Sequence, residues 1–147
     1  VNIQPEIIAA AKAAQAKWKV PASVSLAQFG IESAWGAKMP HASNNPFGIK
    51  ARAGEPFVTC PTHEVVHGQR ILVQAAFRKF DTLAAAFDRH GELLATAPVY
   101  ATAMSWLPDL SGFVSNMAAH YATAPDYAAA IMGVIKGAHL DRFDAVA

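Results

Sequence analysis

Two stretches of this chain carry residues able to break bonds. The first is Ala22–Gly36, ASVSLAQFGIESAWG, a run that is apolar on nearly every face and contains one carboxylate, Glu32. A helix hydrophobic all round is normally buried inside a domain. Ser25, Gln28 and Glu32 fall at i, i+3 and i+7 and so share one narrow polar stripe on it. Apolar surroundings oppose ionisation of a carboxyl, so a Glu32 tip between apolar walls would keep its proton as a general acid must. A Glu32 paired with an arginine, or capped by backbone, would instead have only a structural role.

The second stretch is His63-Glu64-Val65-Val66-His67, which matches H-E-x-x-H, the zinc-peptidase signature. That chemistry needs a helix, because one turn brings the two imidazoles to roughly 6 Å of each other and onto one metal. Pro61 before the motif, Gly68 after it and two adjacent valines favour a strand instead. Extended at ~3.3 Å per residue, the histidines stand about 13 Å apart and cannot share an ion. Glu92 is the downstream carboxylate that a zinc reading would take as third ligand. On a hairpin the segment projects Glu64 toward whatever cleft the helices leave. Glycosidic cleavage uses two carboxyl groups in this way, one on the leaving oxygen and one facing water or the cation-like sugar. A solvated hairpin tip would explain Glu64 equally well.

The elements that must position these groups follow from periodicity. Pro5 and Glu6 open a first helix, with Ile7, Ile8, Ala11, Ala14 and Trp18 on one face and an end near Lys19. Val20-Pro21 breaks it, and the helix bearing Glu32 runs from there to Gly36. Residues 41–50, HASNNPFGIK, are a loop dense in turn formers. Phe57–Cys60 and Arg70–Phe77 are strand-like with His67-Gly68 as the turn, a β lobe over about 55–80. The rest is helical: Leu83–Ala97, a helix from Asp109 carrying Phe113, Met117 and Tyr121, and a last one from Asp126 with Tyr127, Ile131, Val134 and Ile135 inward, closed by Gly137. The expectation is a single domain, 1–147, of the α+β class, mainly α.

Composition narrows the function. Hydrophobic residues make up 53% and charged ones only 16%, so the chain buries a proper core. A net charge of +1, with no lysine- or arginine-dense face, argues against a nucleic-acid partner. The single Cys60 excludes an internal disulfide and reads as a small strand residue, not a nucleophile. No apolar run is long enough to span a bilayer. The chain begins at Val1, so an export signal is not legible in it.

Five segments together resemble glycoside hydrolase family 73, the flagellar-hydrolase-like bacterial N-acetylglucosaminidases. Ala27-Gln28 with Ile31–Gly36 resembles the family's AQ…ESxWG segment, and Asn44–Ala51 its NNLFGIKA loop. Thr62-His63-Glu64 before Gly68 matches the place of its TxEyxxG hairpin, Phe77–Asp81 resembles FRxYxS, and Tyr121–Ala128 resembles YATDPxYA. The segments occur in order along most of the chain, which makes the set far more specific than any member. Three positions depart from the pattern: Ala124 for Asp, Pro46 for Leu and Ala34 for Gly. The resemblance implies a lysozyme-like helical domain with a small β-hairpin lobe; a monomer without metal or cofactor is the expectation that accompanies it. It implies cleavage of peptidoglycan glycan strands in the periplasm or extracellular wall, with N-acetylglucosaminidase or muramidase bond choice left open. It implies Glu32 as general acid, Glu64 as the hairpin carboxylate, and Tyr121 lining the cleft near the scissile sugar. Gln28, Asn45 and Phe47 are the expected sugar contacts, since amides offer paired donors and acceptors and aromatic faces offer apolar area.

Overall fold

The computed structural model describes residues 1–145; Val146 and Ala147, at the end of the expected 1–147 domain, lie outside the described residues. Helix α1 (Pro5–Trp18) starts with proline where its missing N–H costs nothing and ends on Lys19 in the left-handed region. It buries Ile7, Ala10, Ala11 and Ala14, while Trp18 donates its indole N–H to Asp88 at 3.0 Å.

Helix α2 (Ala22–Ser33) runs through the middle of the molecule, with every residue from Ala22 to Gly30 buried. Its first turn is held by the Asp144 carboxylate, which accepts from both the backbone N–H and the hydroxyl of Ser23 at 2.7 Å. A negative group on free N–H donors at a helix start is stabilising. The helix stops at Ser33, three residues short of the expected Gly36. Ala34, Trp35 and Gly36 all take positive φ (49°, 59° and 88°), and Trp35 N–H reaches back to the Gly30 carbonyl at 3.3 Å. This Schellman-type close folds the Trp35 ring onto Gly30, where a Cβ would stand 2.6 Å from the indole.

Strands β1 (Phe57–Val66) and β2 (Gln69–Arg78) pair antiparallel from Phe57↔Arg78 to Val66↔Gln69. His67 and Gly68 make the two-residue turn, both at positive φ as such hairpins require. β1 therefore extends past the expected Cys60 and takes in the whole His63–Val66 segment. The loop after α2 is sewn to the hairpin base by Ala51 N–H to Ala76 O and Arg78 N–H to Ile49 O, each 2.9 Å.

Helix α3 (Leu83–Thr96), capped by Thr82, turns Ala86, Phe87, His90 and Leu94 inward. A short 3-10 turn at Pro98–Tyr100 and a five-residue helix α4 (Ala101–Ser105) follow, neither visible as periodicity. Asp109 caps α5 (Leu110–Tyr121), and α6 (Tyr127–Gly137) buries Tyr127, Ile131 and Ile135, with Val134 only half-buried. The core joins α2 to α3, α5 and α6 through Leu26, Phe87, Phe113, Met117 and Ile131. The architecture is α+β, mainly α: a helical body with a two-stranded lobe.

Candidate active site

Glu32 sits in the last turn of α2, where the buried part of the helix comes to the surface. The expectation of apolar walls around its tip is not met: Glu32 is exposed. A carboxylate at the C-terminal end of a helix faces the negative end of the backbone dipole, so it is not there for helix stability. What holds it is one hydrogen bond. Tyr127, at the start of α6, donates its hydroxyl to Glu32 Oε1 at 2.7 Å. Burial pushes the Tyr127 hydroxyl above its ordinary value, although the Gln28 hydrogen bond pulls the other way, so it keeps its proton and acts as a donor.

The polar stripe of α2 continues inward from there. Gln28 Nε2 donates to the Tyr127 hydroxyl at 3.1 Å, Gln28 Oε1 lies 2.7 Å from His90 Nε2, and Ser25 Oγ lies 3.5 Å from His90 Nδ1. Burial drives the His90 imidazole down to about 3, so it is neutral at neutral pH. Tyr127 and His90 join the site from outside the set of residues expected from the sequence, although the sequence carries a signal for them. Two polar residues inside an apolar helix need buried partners, and His90 lies on the apolar stripe of α3.

Glu32 opens into a groove of about 420 Å³ bordered by Gly48, Lys50, Arg89, Tyr100 and Tyr121, within the roughly 300–1,000 Å³ usual for ligand clefts. Tyr121 lies along the groove and stacks parallel to Tyr127 with centroids 5.9 Å apart and planes 7° apart. Its hydroxyl is pushed well above the ordinary value, first by burial and then by Tyr127, Glu32 and Tyr100 nearby.

The expected sugar contacts are placed differently. Gln28 has no exposed surface, and both ends of its amide are engaged inside the core. Asn45 is 1% exposed. Its Nδ2 donates to the Ile49 and Arg78 carbonyls at 2.8 and 3.0 Å, and its Oδ1 accepts from the backbone N–H groups of Phe47 and Ile49. It ties the 41–50 loop to the hairpin and has no amide group to spare for a sugar. Phe47 borders the groove from within the core, stacked on His90 at 4.2 Å and edge-on to Phe87 at 5.0 Å.

Glu64 lies on β1, on the same inward face as Cys60 and Thr62. Its Oε1 accepts from Lys50 Nζ at 2.8 Å, and Lys50 is part of the groove rim, so the lobe carboxylate is tied to the edge of the cleft. The zinc reading fails on the same geometry. His63 projects from the opposite, exposed face of the strand, His67 sits in the turn, and Glu92 on α3 pairs with Arg89 at 2.9 Å. Among the described residues no three His, Cys, Asp or Glu side chains converge.

A helical body with a small β lobe, and a carboxylate in a tyrosine-lined groove whose Lys50 rim is tied to that lobe, defines the class of lysozyme-like glycosidases. The catalytic domain of the autolysin Auto from Listeria monocytogenes shares the fold, with a TM-score of 0.84 over 95% of this chain and 84% of that one at 22% identity. A peptidoglycan hydrolase mutant from Sphingomonas sp. A1 superposes with a TM-score of 0.77 at 30% identity, covering 92% of each chain. Residues 8–140 match the glucosaminidase family, described as mannosyl-glycoprotein endo-beta-N-acetylglucosaminidase, and the chain belongs to that family of glycoside hydrolases. It is 33% identical over 137 residues to the exo-glucosaminidase LytG of Bacillus subtilis (strain 168), covering 88% of this chain and 48% of LytG. It is 32% identical over 124 residues to the peptidoglycan hydrolase FlgJ of Salmonella typhimurium, covering 80% of this chain and 39% of FlgJ. The chain thus spans about half or less of the length of these curated relatives.

Proposed function

We propose that this chain hydrolyses the β-1,4 glycosidic bonds of peptidoglycan glycan strands as an endo-β-N-acetylglucosaminidase, with Glu32 as general acid. The observation that carries this reading is the Glu32 carboxyl, held by Tyr127 through one oxygen and otherwise open to the groove. In the proposed step Glu32 gives its proton to the glycosidic oxygen as the C1–O bond breaks, and the leaving sugar departs with a free hydroxyl. The cation-like sugar left behind is stabilised by the Glu64 carboxylate, or captured by the carbonyl oxygen of its own N-acetyl group, and then takes up water. Tyr121 offers its ring as apolar wall for the sugar beside the scissile bond. Asn45 serves by fixing the loop that forms one border of the groove, and Phe47 by packing beneath it.

The place of action is the periplasm or the extracellular wall, and the chain works as a monomer. Among the described residues no helix is long and apolar enough to cross a membrane. A muramidase reading on the same scaffold draws support from the probable N-acetylmuramidase of Lactococcus lactis subsp. lactis (strain IL1403), 30% identical over 132 residues, covering 83% of this chain and 30% of that protein. Mass spectrometry of digested purified peptidoglycan separates the two. N-acetylglucosamine at the new reducing ends supports the glucosaminidase, and N-acetylmuramic acid there replaces it with the muramidase. Turnover should be indifferent to chelator, whereas its loss in EDTA and return with zinc would restore the metallopeptidase.

A further inference from the structure

Four hydrogen bonds lead from the interior of α2 to Glu32, and valence sets the direction of each. Glu32 Oε1 accepts, so the Tyr127 hydroxyl donates its one proton there, at 2.7 Å. The Tyr127 oxygen is then free to accept the Gln28 Nε2 proton, at 3.1 Å. That turns Gln28 Oε1 toward His90, 2.7 Å away, so Nε2 of His90 must carry the ring proton. Nδ1 is left bare to accept from Ser25 Oγ, the longest link at 3.5 Å. Ser25, Gln28 and His90 are all 0% exposed. Holding α2 against α3 does not require such groups. Apolar side chains of similar shape replacing both partners of a buried hydrogen bond are close to neutral for stability.

We propose that His90 and Gln28 are positioning residues for the glycosidase reaction: acting through Tyr127, they commit Oε1 of Glu32 to the tyrosine hydroxyl and leave Oε2 as the oxygen that presents the transferable proton to the groove. This rests on the reading of Glu32 as the acid. Neither residue touches the glycan. With the amide of Gln28 pinned by His90, the Tyr127 hydroxyl has one rotamer that satisfies both neighbours, and the carboxyl plane of Glu32 is set with it. Without His90 the amide is free to turn over, and the tyrosine proton is then drawn toward Gln28 Oε1 and away from Glu32. Loss of the relay therefore falls on turnover, while glycan binding in the groove is untouched.

The test compares three variants by kcat and KM on a soluble peptidoglycan glycan fragment and by Tm. His90→Gln keeps an N–H donor for the Gln28 oxygen and an oxygen acceptor for Ser25, and should hold kcat within about threefold of the parent. His90→Phe keeps the stack on Phe47 but removes the donor, and should lower kcat at least tenfold with KM within twofold. That variant leaves a buried amide oxygen unpaired and is the one prone to unfold, so the decision falls on the double variant His90→Phe with Gln28→Met. Replacing both ends of the 2.7 Å bond restores most of the lost Tm, the Ser25 hydroxyl giving up only its long 3.5 Å link, and kcat should remain at least tenfold down. A double variant that recovers kcat together with Tm overturns the proposal, because the two residues then serve packing alone. So does a His90→Gln variant that melts like the parent yet loses as much kcat as His90→Phe. Glu32→Gln, measured alongside, keeps the two readings apart. Full activity there sinks the acid assignment itself, whereas its inactivity beside an active double variant sinks only the relay.

Discussion

A side chain such as Glu32 is informative because nothing about the helix asks for it. It stands at the dipole-unfavourable end of α2, exposed, and held by a tyrosine from an element 95 residues further on. The carboxylate and its polar stripe were legible in the sequence, since a lone Glu in an apolar run needs no alignment to notice. Its partners were not: Tyr127 and His90 arrive from α6 and α3, and spacing along α2 cannot say which distant hydroxyl or imidazole will face it. The same limit explains Gln28 and Asn45, whose residue types suit a sugar but whose burial only the assembled core decides. The buried imidazole has a measurable consequence. Unfolded, His90 takes up a proton below its ordinary 6.5; folded, it resists protonation down to about 3. Between those values the unfolded chain binds the extra proton, so stability present above pH 6.5 is lost as pH falls toward 3, by up to about 1.4 kcal/mol per pH unit. Thermal melts from pH 7 to pH 4 should show a steeper loss in the parent than in His90→Gln, and parallel curves would contradict the burial argument.

At the level of elements, the end of α2 and the loop after it decide where Glu32 points. Gly36 has the sequence signature of a closing glycine, yet the helix ends three residues earlier because the backbone already turns left-handed at Ala34 and Trp35. The fold-back of Trp35 needs the bare Cα of Gly30, so Gly30→Ala should push the indole off the helix and cost about 1–3 kcal/mol as overpacking. A Tm equal to that of the parent would show that the contact is slack. Asn45 binds four backbone groups of its loop and the hairpin base, and three of those partners are themselves buried with it. Asn45→Ala leaves polar groups unpaired at about 1–3 kcal/mol each when buried. Chemical denaturation should register a total loss of more than 2 kcal/mol, with the groove's Gly48 border loosened. The 98–105 segment is not legible in the sequence for a simple reason: a three-residue 3-10 turn and a five-residue helix are too short to show any period.

For the molecule as a whole, the β lobe reaches the groove through its rim, where Glu64 of β1 pairs with Lys50 of the loop. Both partners are largely solvated, with side chains 61% and 40% exposed, so the pair contributes at most about 1 kcal/mol to folding. Glu64→Gln should therefore melt within a few degrees of the parent while lowering turnover. Unchanged turnover would shift the opposite-face role to the substrate's own N-acetyl group. The hairpin, its turn and its carboxylate were legible from His67-Gly68 and the strand-forming valines, and the same features ruled against a helical zinc motif. The account turns on the proton of one carboxyl, and its most direct measurement is the release of reducing ends from purified peptidoglycan by Glu32→Gln beside the parent. The variant should keep the parent's circular dichroism and Tm and lose at least a hundredfold in rate. A folded Glu32→Gln chain that still releases reducing ends at a rate near the parent's would contradict it.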